Sequence, residues 1–200
     1  MLETAPQPGF TDPAIQSQAA FRAVMDAMAR PGRIYKAPEL ITAPAPMNPV
    51  AAMIALTLVD FDTPVWLDHG LAQSEDLNRF LAFHTGAPVT SDKTEAAFAF
   101  FANPQKLGDI ANFALGTDTY PDRSTTLILQ VEALTNASGE TLKGPGIETE
   151  RRLGVAPLQP DFWQMAAANA ALYPRGIDII FCTATELACL PRSTRIKQGS

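Results

Sequence analysis

The stretch IDIIFCT, Ile177 to Thr183, is apolar almost throughout. A strand with one wet face alternates apolar and polar residues, whereas a run like this predicts a strand covered on both faces. Two covered faces require a layer of structure on each side. STTLILQVEAL, Ser124 to Leu134, is a second such stretch, rich in β-branched and Leu residues, with alternation in its C-terminal half. PVWLD (Pro64–Asp68) and AAFAFF (Ala96–Phe101) predict shorter strands, and another is expected around Leu187 to Leu190. The expected fold is α/β, a single three-layer domain over residues 1–200, with a mixed β-sheet flanked by helices.

Helices are expected between these strands. Asp12 is a good N-cap and Pro13 suits the first helical position, where its missing N–H would be unpaired anyway. In the helix that follows, Phe21, Val24, Met25 and Met28 recur at helical spacing and predict one apolar face. Asp26 and Arg30 form an acid-before-base i,i+4 pair, and Pro31-Gly32 ends the helix. Further helices are expected over Pro49–Val59, from Ser74 through His84 to a stop at Gly86, from Asn103-Pro104 to about Leu115, and over Asp161–Leu172. NASG, Asn136 to Gly139, predicts a turn, joining a hairpin to the segment that ends GPGI. Lys36 to Pro49 carries four prolines and predicts a rigid surface connection.

Composition limits the function classes. A net charge of -6 disfavours broad nucleic-acid or anionic-membrane binding. No stretch reaches the roughly 18 apolar residues of a membrane span, and the N-terminus has no basic and apolar leader pattern. Cys182 and Cys189 make neither a disulfide framework nor a zinc pattern, which suits a reducing cytoplasm.

Each chemical constellation has two readings. His84 shares helical spacing with Leu77, Phe80 and Leu81. It is either a ligand or acid near Gly86, or a core or interface histidine. Asp68 and His69 end a strand, where α/β sheets place ligands, but neighbours on a strand point apart and chelate poorly. Gly144-Pro145-Gly146 fits no phosphate-loop pattern, because proline removes a donor. No nucleophile elbow occurs. None of the five lysines is singled out as a Schiff-base lysine. Arg30, Arg33, Arg175, Arg192 and Arg195 sit at turns and element ends, where a guanidinium fork can hold phosphate, phosphonate or carboxylate. The candidate anion or ligand set is Arg30, Arg33, His84 and Arg192; intersubunit ion pairing is the other reading.

FRAVMDAMARPGRI (Phe21–Ile34), the FHTGAP around His84, GPGI at Gly144, YPRGID at Tyr173 and LPRSTRI near the end occur in this order. From about Phe10 to Ile196 the chain resembles the PhnH family of phosphonate metabolism, a component of the bacterial carbon–phosphorus lyase core complex. The resemblance implies a fold akin to the large domain of pyridoxal-phosphate-dependent transferases, without that cofactor or its lysine. It implies a homodimer that joins subunits G, I and J. It further implies a supporting role in the ATP-dependent conversion of alkylphosphonate to ribose 1-phosphonate 5-triphosphate, with no catalytic residue of its own to carry over. The alternative is a small-ligand protein that itself acts on a phosphonate or nucleotide. The resemblance implies no cofactor, and no metal is expected because no spacing in the chain matches a metal-ligand pattern.

Overall fold

The structure, a computed structural model, describes residues 7–197. Six strands form the main sheet: β1 (Tyr35–Lys36), β2 (Val65–Leu67), β3 (Phe98–Phe101), β4 (Thr126–Gln130), β7 (Asp178–Cys182) and β8 (Glu186–Leu190). Their order is β1-β8-β7-β4-β3-β2. β2, β3, β4 and β7 run parallel, while β8 returns antiparallel to β7 and pairs β1. The strands β5 (Ala133–Lys143), β6 (Arg151–Ala156) and β9 (Arg195–Lys197) form a separate antiparallel sheet in the order β6-β5-β9.

Register explains the apolar runs. Leu67, Phe100, Ile128, Ile180 and Cys189 form one row across five strands. They face a core shared with α1 (Pro13–Ala29), α2 (Pro49–Leu58) and α4 (Glu75–Thr85). The neighbouring row, Trp66, Ala99, Leu127, Ile179 and Leu190, faces a second core. That core is closed by α5 (Phe162–Ala170) and by Leu142 and Leu153 of the small sheet. Because side chains alternate at period 2, both rows can be apolar only when both faces are covered. The three layers are therefore helices, main sheet, and a mixed layer of α5 with the small sheet.

Helix starts follow the expected chemistry. Asp12 accepts from Ile15 N (3.2 Å), Asn48 from Ala51 N (2.7 Å) and Ser74 from Leu77 N (3.3 Å). A short α3 (His69–Ala72) is added after β2, capped by Asp68.

Several expectations are corrected. The buried stripe of α1 is Ala20, Val24 and Ala27; Phe21 and Met25 are about half exposed. Small side chains let α1 lie close to α2 and β8, which outweighs the larger apolar residues beside them. Residues 103–115 do not form one helix. They make 3-10 turns at Pro104–Lys106 and Ile110–Asn112, split by Gly108 in a left-handed conformation (φ 73). Ser124–Leu134 is not one strand. Val131 N bonds to Cys182 O and Glu132 N to Ala156 O, handing the chain from the main sheet to the small one. NASG is an irregularity inside β5, with a register shift between Thr135 and Glu140, and the turn falls at Gly144–Gly146 instead. Asp161 makes no cap bond to α5. The proline-rich segment is only partly superficial, since Ile41 and Met47 are buried.

Candidate functional site

Parallel α/β sheets usually hold ligands beyond the C-terminal ends of their strands. Here that end is closed. Asp68 after β2 accepts from Leu71 N with one oxygen, and from Ala102 N (2.8 Å) and Asn103 N (3.1 Å) with the other. Gln130 at the end of β4 accepts from Asn48 N and donates to Pro46 O (3.2 Å). Asn48 also donates to Cys182 O (3.2 Å). The Lys36–Pro49 segment thus seals the strand ends. His69 points to solvent as the first residue of α3. Among the described residues no group of three or more His, Cys, Asp or Glu could hold a metal ion.

The sequence motifs meet in pairs. The ARPG turn after α1 is held from three sides. Gly32 N donates to Cys189 O (2.9 Å), Asn136 Nδ2 donates to Gly32 O (2.8 Å), and Arg151 Nη1 donates to Pro31 O (3.0 Å). Gly146 of GPGI packs on the same turn at φ 79, where a Cβ would lie 2.0 Å from Ala29 O. Only glycine fits that backbone and that approach. YPRGID and LPRSTRI meet through Asp178 and Arg192. Arg192 Nη2 lies 2.6 Å from Asp178 Oδ2, Nε lies 3.2 Å from both carboxylate oxygens, and Nη1 donates to Pro121 O.

Among the described residues, the cleft at Arg192 is not lined by Arg30, Arg33 or His84. Arg30 pairs with Asp26 (2.7 Å) on the surface, and that hydrogen bond raises its already high pKa. Arg33 lies over the Tyr35 ring at 5.2 Å. His84 packs tilted against Phe80 and edge-on against Phe83, and its Nε2 is 2.8 Å from Gln7 O. Arg192 borders that cleft with its fork already on Asp178.

That cleft lies at the end of the sheet where β7 begins. Its main body, about 530 Å³, is bounded by the Gly144–Pro145 turn, by Ala170 at the end of α5 and Tyr173 beyond it, and by Ser193 and Arg195 to Lys197. A shallower extension reaches Pro121 and Arg192. Three cations border the main body: Lys143, Arg195 and Lys197. Lys143 and Arg195 are direct partners on the β5–β9 ladder, and Lys197 lies two residues along. Glu150 takes both lysines, at 2.8 and 3.2 Å, and their hydrogen bonds hold its carboxyl below the ordinary glutamate range, Lys143 first. Arg195 is exposed and makes no ion pair among the described residues. The sequence does not reveal this trio, because only the ladder register brings Lys143 beside Arg195.

Known proteins match the chain closely along its length. The family model for the bacterial phosphonate metabolism protein PhnH matches residues 8–197. Alpha-D-ribose 1-methylphosphonate 5-triphosphate synthase subunit PhnH of Rhizobium meliloti is 42% identical over 189 residues, covering 94% of each chain. A putative C-P lyase subunit protein, HtxG, of Stutzerimonas stutzeri is 29% identical over 181 residues, covering 90% of this chain and 86% of its own. The chain belongs to the PhnH family.

Proposed function

We propose that this PhnH-family chain is a subunit of a multi-protein assembly for organic phosphonate breakdown, supporting formation of a ribose 1-phosphonate 5-triphosphate without turnover of its own. The observation that carries this is the 42% identity across 94% of both chains with a relative named as a subunit of that synthase. The pairing of the motifs supports it further, because they serve as structural junctions. ARPG with GPGI, and YPRGID with LPRSTRI, hold the layers in register rather than assembling a catalytic group.

In this reading the chain forms a homodimer and contacts subunits G, I and J in the cytoplasm. Arg30 and Arg33, exposed beside the ARPG turn, serve as contacts for a neighbouring subunit; His84 and Arg192 hold local structure. The fold is a cofactor-free relative of the large domain of pyridoxal-phosphate-dependent transferases. The mostly parallel sheet supports this, as does the engagement of Lys93 over Trp66 and Phe113 and of Lys143 with Glu150.

Complementation tests the proposal. A host deleted for its own PhnH should regain growth on methylphosphonate as sole phosphorus source when this chain is expressed. Failure despite soluble expression and assembly would overturn it. Purified protein should show no Schiff-base absorbance; its appearance would overturn the cofactor-free reading.

A further inference from the structure

Like charges placed directly opposite on an antiparallel ladder destabilise it. Lys143 and Arg195 are such a pair, with Lys197 diagonal to the first and two residues from the second. A chain with net charge -6 has plenty of carboxylates to break this cluster, yet only Glu150 pairs with it among the described residues. Glu150 engages the two lysines and leaves Arg195 unmatched there. A local rule broken without compensation inside the fold points to a ligand that supplies the compensation.

The shape of the cleft narrows the ligand. Its volume of about 530 Å³ falls within the span typical of small-molecule sites, roughly 300–1,000 Å³. That is more room than one phosphate group needs. Directly opposed ladder side chains start roughly 5 Å apart and those two residues along a strand roughly 7 Å apart. Arg195 has one cation opposite it on the ladder and another along its own strand, and both lysine heads reach the same Glu150 oxygen, so the three form a cluster at one side of a cleft that has room for several linked phosphates. The same cleft is lined by Ala170, Pro145 and the exposed Tyr173 ring, apolar surface for an organic group. The Arg195 guanidinium can clamp phosphate oxygens in a bidentate fork, and the two ammonium groups add mobile point charges.

We infer that this cleft binds an organic polyphosphate, with Lys143, Arg195 and Lys197 on the phosphate chain and Tyr173 against the organic moiety. Naming that moiety as a ribose rests on the function proposed above. The phosphate-binding part rests on geometry alone. Arg192 borders the extension but stays on Asp178, so it shapes the cleft rather than holding the anion.

The test is calorimetric titration of the intact purified chain with inorganic phosphate, inorganic tripolyphosphate and ATP at low salt. Tripolyphosphate and ATP should bind saturably and more tightly than phosphate, and added salt should weaken both. Arg195→Gln should weaken both by roughly tenfold or more, through loss of a charge-assisted fork. Glu150→Gln should tighten both, because the competing carboxylate is gone. Tyr173→Ala should remove whatever advantage ATP has over tripolyphosphate. Thermal melts of each variant confirm folding.

Absence of saturable binding, or tripolyphosphate binding that R195Q leaves unchanged, overturns the inference. So does a variant that binds no less polyphosphate but fails to co-purify with partner subunits, which would make the cleft a protein-docking face. The growth assay separates the two ideas. Rescue on methylphosphonate without polyphosphate binding removes the cleft and keeps the proposed function. Polyphosphate binding without rescue removes the ribose assignment.

Discussion

The main sheet and the small sheet share the second core but present opposite outer chemistry. Every interior row of the main sheet is apolar on both faces, from Leu67 to Cys189 on one side and Trp66 to Leu190 on the other. The small sheet has one buried face, with Leu142 and Leu153 inward, and sets cations outward on β5 and β9. The contrast is sharpest within one short segment. Arg192 is a largely buried guanidinium with its carboxylate in hand, while Arg195, three residues on, is exposed without one among the described residues. A residue of the first kind acts through stability, and a residue of the second kind is available to something outside the chain.

Removing volume from the main sheet gives the largest expected effect. Phe100 is 1% exposed and sits between Leu67 and Ile128 in the row facing α1, α2 and α4. Phe100→Ala should cost about 3–5 kcal/mol, as lost transfer energy plus the cavity left behind. Urea unfolding monitored by circular dichroism measures it. A cost below about 1 kcal/mol would mean that the two-faced packing is not what holds the domain.

Next is the fork between β7 and the end of β8. Arg192 and Asp178 are 15% and 20% exposed, so solvent screens them only in part. Arg192→Met strands the carboxylate and the Pro121 carbonyl, and should cost about 2–3 kcal/mol. Adding Asp178→Asn should recover part of that loss. If the double variant is as unstable as the sum of the singles, the two groups are not coupled.

A comparable but pH-dependent effect comes from the thiols. Cys182 and Cys189 are fully buried free thiols, on rows of the main sheet. Burial pushes the Cys182 pKa up to about 12, and burial with the nearby Asp178 charge pushes Cys189 upward too. A folded pKa above the unfolded value stabilises below the unfolded pKa, and that stability is lost as pH rises toward the folded one. For Cys182 the window opens near pH 9, the ordinary thiol value, and closes near 12. By pH 10.5 the loss should be on the order of 2 kcal/mol. Urea midpoints from pH 8 to 10.5 should fall for the native chain and fall less for Cys182→Ala. Equal slopes would rule out Cys182 as the source. Alkylating reagents at pH 8 should leave both cysteines unmodified until the chain unfolds.

The two sheets also differ in how much the sequence disclosed. IDIIFCT foretold its own two-faced burial because burial on both sides leaves a continuous apolar run. Asp12, Asn48 and Ser74 declared their helices because capping is local chemistry. The small sheet was hidden, since Ser124–Leu134 reads as one strand and NASG as a turn. What splits that run is pairing with Cys182 and Ala156, far along the chain. The α1 face was misassigned because spacing ranks Phe21 and Met25 above Ala20 and Ala27, whereas close helix approach favours alanine. The motifs announced the family, but their pairing, Gly146 on Ala29 and Asp178 on Arg192, is a tertiary fact. The basic trio has no sequence signature at all: β5 and β9 must pair before Lys143 and Arg195 become neighbours.

The smallest expected effect on stability is therefore the most discriminating. Arg195→Gln removes one half of a like-charged ladder pair and breaks no ion pair among the described residues. If the trio were an ordinary solvated surface, the substitution would do nothing measurable to folding or to binding. If the pair is opposed at the cost the ladder imposes, R195Q should raise stability by a few tenths of a kcal/mol. The gain should shrink in high salt, because the repulsion it relieves is screened. Lys143→Gln at the opposed position should gain less or lose outright, since Lys143 also holds Glu150 at 2.8 Å. Melting temperatures of the two variants at low and high salt decide the matter. A destabilised R195Q would show that the guanidinium has a structural partner, and would return it to the class of Arg192.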